Sequence, residues 1–227
     1  RDAVEFPRTE GGNSRYPTAV RVTWVDETPT SASAAETNPT WGSVRIPVHT
    51  VMARTDLSRN LLEDSAVNLI EFLSDQIAMA MAVDEDENFL IGTGGGRPSG
   101  VLADRSGAEE VPVTGINVSN SGNASTITPD GLIDLVYNID SQYRGSAVIV
   151  MAKNTQRDTR KLKDGDGRYM WQPGLVAGQP ATLAGYAVAE SEAMPAIGAN
   201  KYPIIFGDFG RGYYIVDRVG MGIDRVS

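Results

Sequence analysis

An α+β fold follows from three features of this amino-acid sequence. Several short stretches alternate apolar and polar residues with period two, as half-buried strands do. One helical periodicity runs for about 28 residues, long enough for a rod of about 42 Å. Helix and strand signals then follow one another without regular alternation, which argues against a βαβ architecture.

The first alternation places Val20, Val22 and Trp24 on one face and Arg21 and Thr23 on the other, and Val44, Ile46 and Val48 repeat it. Between them, residues 26–41 are rich in Ser, Ala, Thr, Pro and Asn, with Trp41 the one large apolar side chain. Loops of this length are usually functional or disordered. Residues 20–50 therefore read as a two-stranded hairpin with a mobile tip. Such a hairpin is marginal alone in water and needs a surface to lie on, which another subunit can supply.

The long helix is expected from about Asp64 to Ile91. Leu61, Leu62, Ala66, Leu69, Ile70, Leu73, Ile77, Ala80 and Met81 step by three and four, and Leu69, Ile70, Leu73 and Ile77 are expected to pack on a sheet. Asn60 with Glu63, or Asp64 alone, can cap its start, and Gly92 ends it. A Gly-rich turn, Gly92–Gly100, follows. Val111–Val113 and Ile116–Val118 then alternate as short strands. Thr128 as N-cap with Pro129 at the first helical position opens a second helix through Leu132, Ile133, Val136 and Ile139, and Gly145 lies beyond its end. Ala147–Met151 reads as a buried strand and residues 153–163 as a polar helix. Strands are expected at Gly185–Ala189, Ile204–Gly207 and Tyr213–Val219.

Composition narrows the function. The chain has no cysteine, which removes disulfides, thiolate metal sites and cysteine nucleophiles. Its net charge of −9 disfavours nucleic-acid binding as a property of the whole chain, although twenty Lys and Arg leave room for a local basic patch. No apolar run is long enough to span a membrane. The chain opens at Arg1 without a methionine, so it reads as a processed or trimmed product.

The motifs that invite chemistry fail on inspection. A phosphate cradle needs a strand before its glycines and a helix after them; at Gly92–Gly100 the helix comes first and no Lys-Ser/Thr follows. Asp164-Gly165-Asp166-Gly167 begins like a calcium loop, but Tyr169 and Leu175 stand where Gly and Glu are required. His49 is the single histidine, and no Gly-x-Ser-x-Gly elbow occurs. The acids Asp84-Glu85-Asp86-Glu87 close the long helix, where they oppose its dipole and one another. They are either a solvated face or a docking point for arginine, with Arg97 and Arg105 the nearest in sequence. No enzyme, cofactor or metal is indicated.

Several separated motifs resemble the major capsid proteins of tailed bacteriophages and prophages. Trp24-Val25-Asp26-Glu27 is similar to the upstroke of that family's extended loop, and Leu57–Ser65 to the entry of its spine helix. Asp84–Gly100 resembles the helix exit. Leu162-Lys163-Asp164 with Gly167, Tyr169, Trp171 and Pro173 is similar to an axial-domain segment, and Thr182–Tyr186 precedes a strand as in the family. Ile204–Phe209 with Tyr214–Gly220 is the most specific likeness.

The resemblance implies a lead-in at residues 1–19, an extended loop at 20–54, a peripheral domain at 55–128 containing the spine helix, an axial domain at 129–202 and return strands at 203–227. The family's N-terminal arm and last strand are expected to be missing, which makes the chain a core fragment. The implied function is self-assembly, as pentamers and hexamers, into an icosahedral shell around double-stranded DNA, built in the bacterial host cytoplasm and residing in the virion. Scaffold, portal and cement proteins are implied partners; contact with DNA is loose and no membrane is involved. Trp24, Glu27, Trp41, Glu85, Glu87 and Arg97 are the expected subunit contacts. Some members cross-link an extended-loop lysine to a neighbour's asparagine, but the four lysines here, Lys153, Lys161, Lys163 and Lys201, all lie beyond the spine helix. The rival readings are an encapsulin-type compartment shell and an unrelated soluble enzyme or binding domain.

Overall fold

The computed structural model describes residues 3–10, 40–58, 68–102, 116–123, 125–171, 182–218 and 222. The chain divides into two compact units: residues 1–48 with Val216–Arg218, and residues 49–215 with Val219–Ser227.

The first unit contains strands β1 (Ala3–Glu10) and β2 (Thr40–Pro47), paired antiparallel from Ala3↔Pro47 to Glu10↔Thr40. Val4 faces Ile46 and Phe6 faces Val44 across the ladder, while Glu5 faces Arg45 on the other side. Pro7 lacks an N–H donor and is tolerated because a two-stranded sheet consists of edges alone. The described partner of β2 is Ala3–Glu10, read from sequence as a lead-in, and Val20–Val25 lies outside the described residues. Trp41 belongs to a strand and not to a loop tip.

The second unit is built on a four-stranded sheet in the order β4-β5-β3-β6. Its strands are β3 (Val148–Met151), β4 (Thr182–Leu183), β5 (Tyr186–Glu190) and β6 (Ile204–Gly207). β3 runs parallel to β5 and antiparallel to β6. The β4–β5 hairpin turns on Ala184 and Gly185, both at positive φ (52° and 87°), as a two-residue primed turn requires.

The alternation of β3 divides the core in two. Ala147, Ile149 and Met151 join Val136, Leu183 and Phe206 on one side, where Leu132, Leu135 and Ile139 pack from helix α2 (Pro129–Tyr137) and the loop after it. Ala152 joins Leu90, Leu102 and Met194 on the other, with Val150 packed against them. α2 starts as expected: the Thr128 hydroxyl accepts from Gly131 N–H at 3.1 Å, with Pro129 next. It stops at Tyr137, and Gly145 closes the separate turn α3 (Ser141–Arg144). The polar helix α4 (Lys153–Arg160) connects β3 towards β4.

The long helix, α1 (Leu69–Ile91), begins later than expected. Asn68 takes φ −70° and ψ 88° and turns its side chain to the Glu71 N–H, a local bond that competes with helical continuation. Residues 59–67 lie outside the described set. Among the described residues two expected strands do not form, and the expected strand Val111–Val113 lies outside that set. Ile116–Val118 carries no ladder, and Tyr213–Asp217 is irregular after the short helix α5 (Phe209–Gly212). Alternation alone does not make a strand; a hydrogen-bonded neighbour must accept it.

The end of α1 is fixed by the returning chain. Gly100 N–H donates to Gly92 O at 2.7 Å, Val101 N–H to Phe89 O at 3.0 Å, and Leu102 N–H to Leu90 O at 2.8 Å. These bonds occupy carbonyls that the helix terminus leaves without intrahelical partners. Gly94 and Gly96, at φ 79° and 82°, make the tight return, so the Gly-rich stretch is a helix exit.

Candidate assembly surfaces

α1 carries apolar side chains around much of its circumference, and only its last turns are buried. At 100° per residue, Phe72, Met79, Val83 and Leu90 fall on one line. Leu90 is buried in the core, yet Phe72, Met79 and Val83 are 55%, 61% and 69% exposed. The face expected to pack on a sheet is also incompletely covered: Leu69, Leu73 and Ile77 are half-buried, and Ile70 is exposed. This corrects the expectation of a fully packed face. Among the described residues the sheet engages the C-terminal end of the helix, through Leu90 and Ile91. A helix apolar on several sides is normally enclosed by protein or lipid. Among the described residues no helix is long and apolar enough to cross a membrane.

The expected contact residues are dispersed. Trp24 and Glu27 lie outside the described residues. Trp41 is 70% exposed on β2, on the face shared with Ser43 and Arg45. Glu85 and Glu87 are exposed near the end of α1, and Arg97 is exposed in the Gly-rich turn. Glu85 and Glu87 are two apart and point to nearly opposite sides of the helix, so they cannot share one contact; the pair that shares a face is Asp84 with Glu87. Asp86 is engaged within the chain, accepting from the Ser191 hydroxyl at 2.7 Å. None of the four acids joins an ion pair among the described residues, so Arg97 does not neutralise them, and Arg105 is outside that set. α1 has no basic residue in its last turn to balance the dipole.

Sequence reading expected α4 as a polar helix over residues 153–163 but assigned it no site. Thr155 and Thr159, each 1% exposed, form its buried face. Lys153, Arg157, Arg160 and Lys161 cluster on the opposite side and, with Tyr169, line an open cleft. Arg157 and Lys161 both reach the Asp158 carboxylate, at 3.1 Å and 3.3 Å. Hydrogen bonding from Arg157, helped by Lys161, holds that carboxyl below the ordinary aspartate range despite its partial desolvation. The Arg160 guanidinium lies 4.9 Å from the centre of the Trp171 ring, and its buried Nε has no acceptor.

No catalytic constellation forms around the groups that invited one. Asp164 Oδ1 accepts the N–H groups of Asp166 and Arg168, at 3.0 Å and 2.8 Å, so this carboxylate closes a hairpin turn. His49 is half-buried in an irregular segment. Among the described residues no cluster of His, Asp and Glu could hold a metal ion.

The family model of phage capsid proteins matches residues 1–227, the whole sequence. The chain belongs to the phage capsid family. Two solved capsids resemble it closely enough to agree. The capsid of a native GTA particle is 30% identical with a TM-score of 0.72, and the match covers 92% of this chain and 69% of that one. The capsid of an empty GTA particle is 32% identical with a TM-score of 0.71, covering 92% and 68%. A chain of Mycobacterium phage Cain, 10% identical with a TM-score of 0.50 over 85% of this chain and 59% of that one, shares the fold. No curated protein matches. As a phage capsid protein the chain is a structural subunit of a capsid shell, associates with copies of itself, and has its place in the virion.

Proposed function

We propose that this capsid protein is the major subunit of an icosahedral shell, arranged as pentamers and hexamers around double-stranded DNA and assembled in the host cytoplasm. The observation that carries the proposal is the apolar line on α1, which leaves the core at Leu90 and continues uncovered through Val83, Met79 and Phe72. Burying such side chains stabilises by about 1.5–3 kcal/mol each, so association is strongly favoured wherever a complementary surface exists.

In this reading residues 20–54 form the extended loop, 55–128 the peripheral domain, 129–202 the axial domain and 203–227 the return strands. Trp24, Glu27 and Trp41 serve as loop contacts, and Glu85, Glu87 and Arg97 as contacts of the body. Scaffold, portal and cement proteins are further partners. The two GTA capsids, more similar in sequence than the phage chain, favour a GTA-type particle as the second form of the same reading.

Electron microscopy of the purified full-length product, with nuclease treatment before DNA extraction, tests the proposal. Closed shells with protected DNA are expected. A stable monomer under all assembly conditions contradicts it. Sequencing the protected DNA separates a shell carrying its own genome from one carrying other DNA.

A further inference from the structure

We infer that the cationic cleft beside α4 binds the phosphodiester backbone of nucleic acid, without regard to base sequence, and so faces the lumen of the shell. The inference rests on the shell-subunit reading and gives the enclosed DNA a contact site on the subunit.

Charge is spread unevenly along this chain. Six of the twenty Lys and Arg fall in residues 153–168, beside three acids, in a chain of net charge −9. The segment folds into α4 and a hairpin, the latter closed by the Lys163↔Tyr169 bridge and by Met170 N–H donating to Leu162 O at 2.9 Å. Lys153, Arg157, Arg160 and Lys161 line an open cleft of about 510 Å³ with Tyr169 of the hairpin, and Asn154 and Gln156 add uncharged amides.

The acids of the segment do not cancel this charge. Asp158 is shared between Arg157 and Lys161, and Asp164 accepts the N–H groups of Asp166 and Arg168 in the hairpin turn. Lys153 and Arg160 have no ion pair among the described residues. Arg160 is held in place on the Trp171 ring, which packs against the core. Lys163 lies 5.0 Å from the centre of the Tyr169 ring and brings a fifth cation to the cleft wall.

The spacing matches a chain of phosphates. At 100° per residue the four α4 cations lie within about 100° of one another, and Lys153 to Lys161 rises about 12 Å along the helix. One strand of a duplex passes a phosphate about every 3.4 Å, so the stripe meets three or four of them. Lysine and arginine bonded to phosphate oxygens carry no sequence information, which makes the contact indifferent to bases. Elsewhere the negative balance of the chain repels DNA, so contact falls where the sign reverses locally.

The test measures fluorescence anisotropy of a labelled duplex of about 20 base pairs with dissociated full-length subunits, between about 50 and 200 mM salt. Three or four phosphate contacts give a slope of log affinity against log salt of about −2.7 to −3.6. Lys153→Gln/Arg157→Gln, at exposed positions, should weaken binding at least about tenfold at the lowest salt and flatten the slope by about 1.8. Arg45→Gln/Arg54→Gln removes the same charge from exposed positions elsewhere and should keep the native slope. Calorimetry establishes that both variants are folded. Independently, ultraviolet cross-linking of native DNA-filled particles should leave nucleotide adducts within residues 153–169.

Native subunits that do not bind the duplex, a cleft variant that binds as the native chain does, an equal loss in the control, or adducts confined to other segments overturns the site. Inorganic phosphate that displaces the duplex where chloride of equal ionic strength does not makes the cleft a free-phosphate site instead. Failed assembly of the cleft variant with unchanged duplex affinity assigns the face to a neighbouring copy. In each such case the shell reading survives; it fails only if the native chain makes no particle.

Discussion

Adding one methyl group at Gly100 should loosen the junction between α1 and the core. A Cβ placed there meets Leu90 C and O at 2.5 Å and Ile91 N at 2.6 Å, all backbone atoms. Ordinary carbon contacts lie at about 3.5–4.0 Å, so the chain must retreat by about 1 Å, and no rotamer change can relieve it. That retreat breaks or lengthens the bonds from Gly100, Val101 and Leu102 to the end of α1. At about 0.5–1.5 kcal/mol each, less a few tenths for the stiffer unfolded chain, the cost of Gly100→Ala is about 2–3 kcal/mol. For a domain of this size the melting temperature then falls by about 4–12 °C. Scanning calorimetry of the free subunit measures it, and amide exchange at Val101 and Leu102 should accelerate in parallel. Gly95→Ala, with no atom within 4 Å of the new Cβ, is the control and should change stability by less than about 0.5 kcal/mol. A Gly100→Ala subunit that melts with the native protein refutes the reasoning.

Three further outcomes are expected. Phe72→Asp and Met79→Asp, at exposed positions, should leave the free subunit within about 0.5 kcal/mol of native stability and prevent shell formation; calorimetry and electron microscopy check the two halves separately. Burial raises the Tyr213 phenol above its ordinary value, and its hydroxyl donates to Ser99 O at 2.9 Å. The folded state therefore holds this proton longer than the unfolded one, so its stabilising contribution is present below the ordinary tyrosine pKa and is lost as pH rises through the raised one. Tyr213→Phe should be less stable at neutral pH and should flatten that alkaline fall in melts taken across pH 9–11; an unchanged slope contradicts the assignment. Because no lysine lies in residues 20–50, mature particles should give one monomer band on denaturing electrophoresis, and a ladder containing a linked peptide from that segment contradicts this.

What was legible in the sequence is what local chemistry decides. The Thr128-Pro129 start of α2 could be read because cap and first turn are neighbours in the chain. β3 could be read because five consecutive apolar residues, from Ala147 to Met151, need cover on both faces. The pairing of β2 with Ala3–Glu10 was not legible. It joins segments about thirty residues apart, and Pro7 and Arg8 dilute the alternation of Val4 and Phe6.

Tyr213–Asp217 shows the converse, a strand-like pattern that finds no ladder among the described residues. Periodicity located the apolar side chains of α1, but it cannot say whether their cover comes from the same chain. The acids at the end of α1 were visible as a cluster. Which of them share a face depends on helical phase, and that separates Asp84 and Glu87 from Glu85 and the already bonded Asp86. The cationic face of α4 was missed because its sequence looks like an ordinary solvated helix until Thr155 and Thr159 are seen to be buried.

The central claim is that the side chains this subunit leaves bare are the ones that build the shell. Hydroxyl-radical footprinting of assembled particles against dissociated subunits measures it at single residues, with Met79 and Trp41 as reactive reporters and Met151, fully buried in the core, as the internal reference. Met79 and Trp41 should oxidise several-fold more slowly in particles, while Met151 stays slow in both. Equal oxidation of Met79 in the two states would mean that the exposed face of α1 remains bare in the shell, and the account would be wrong.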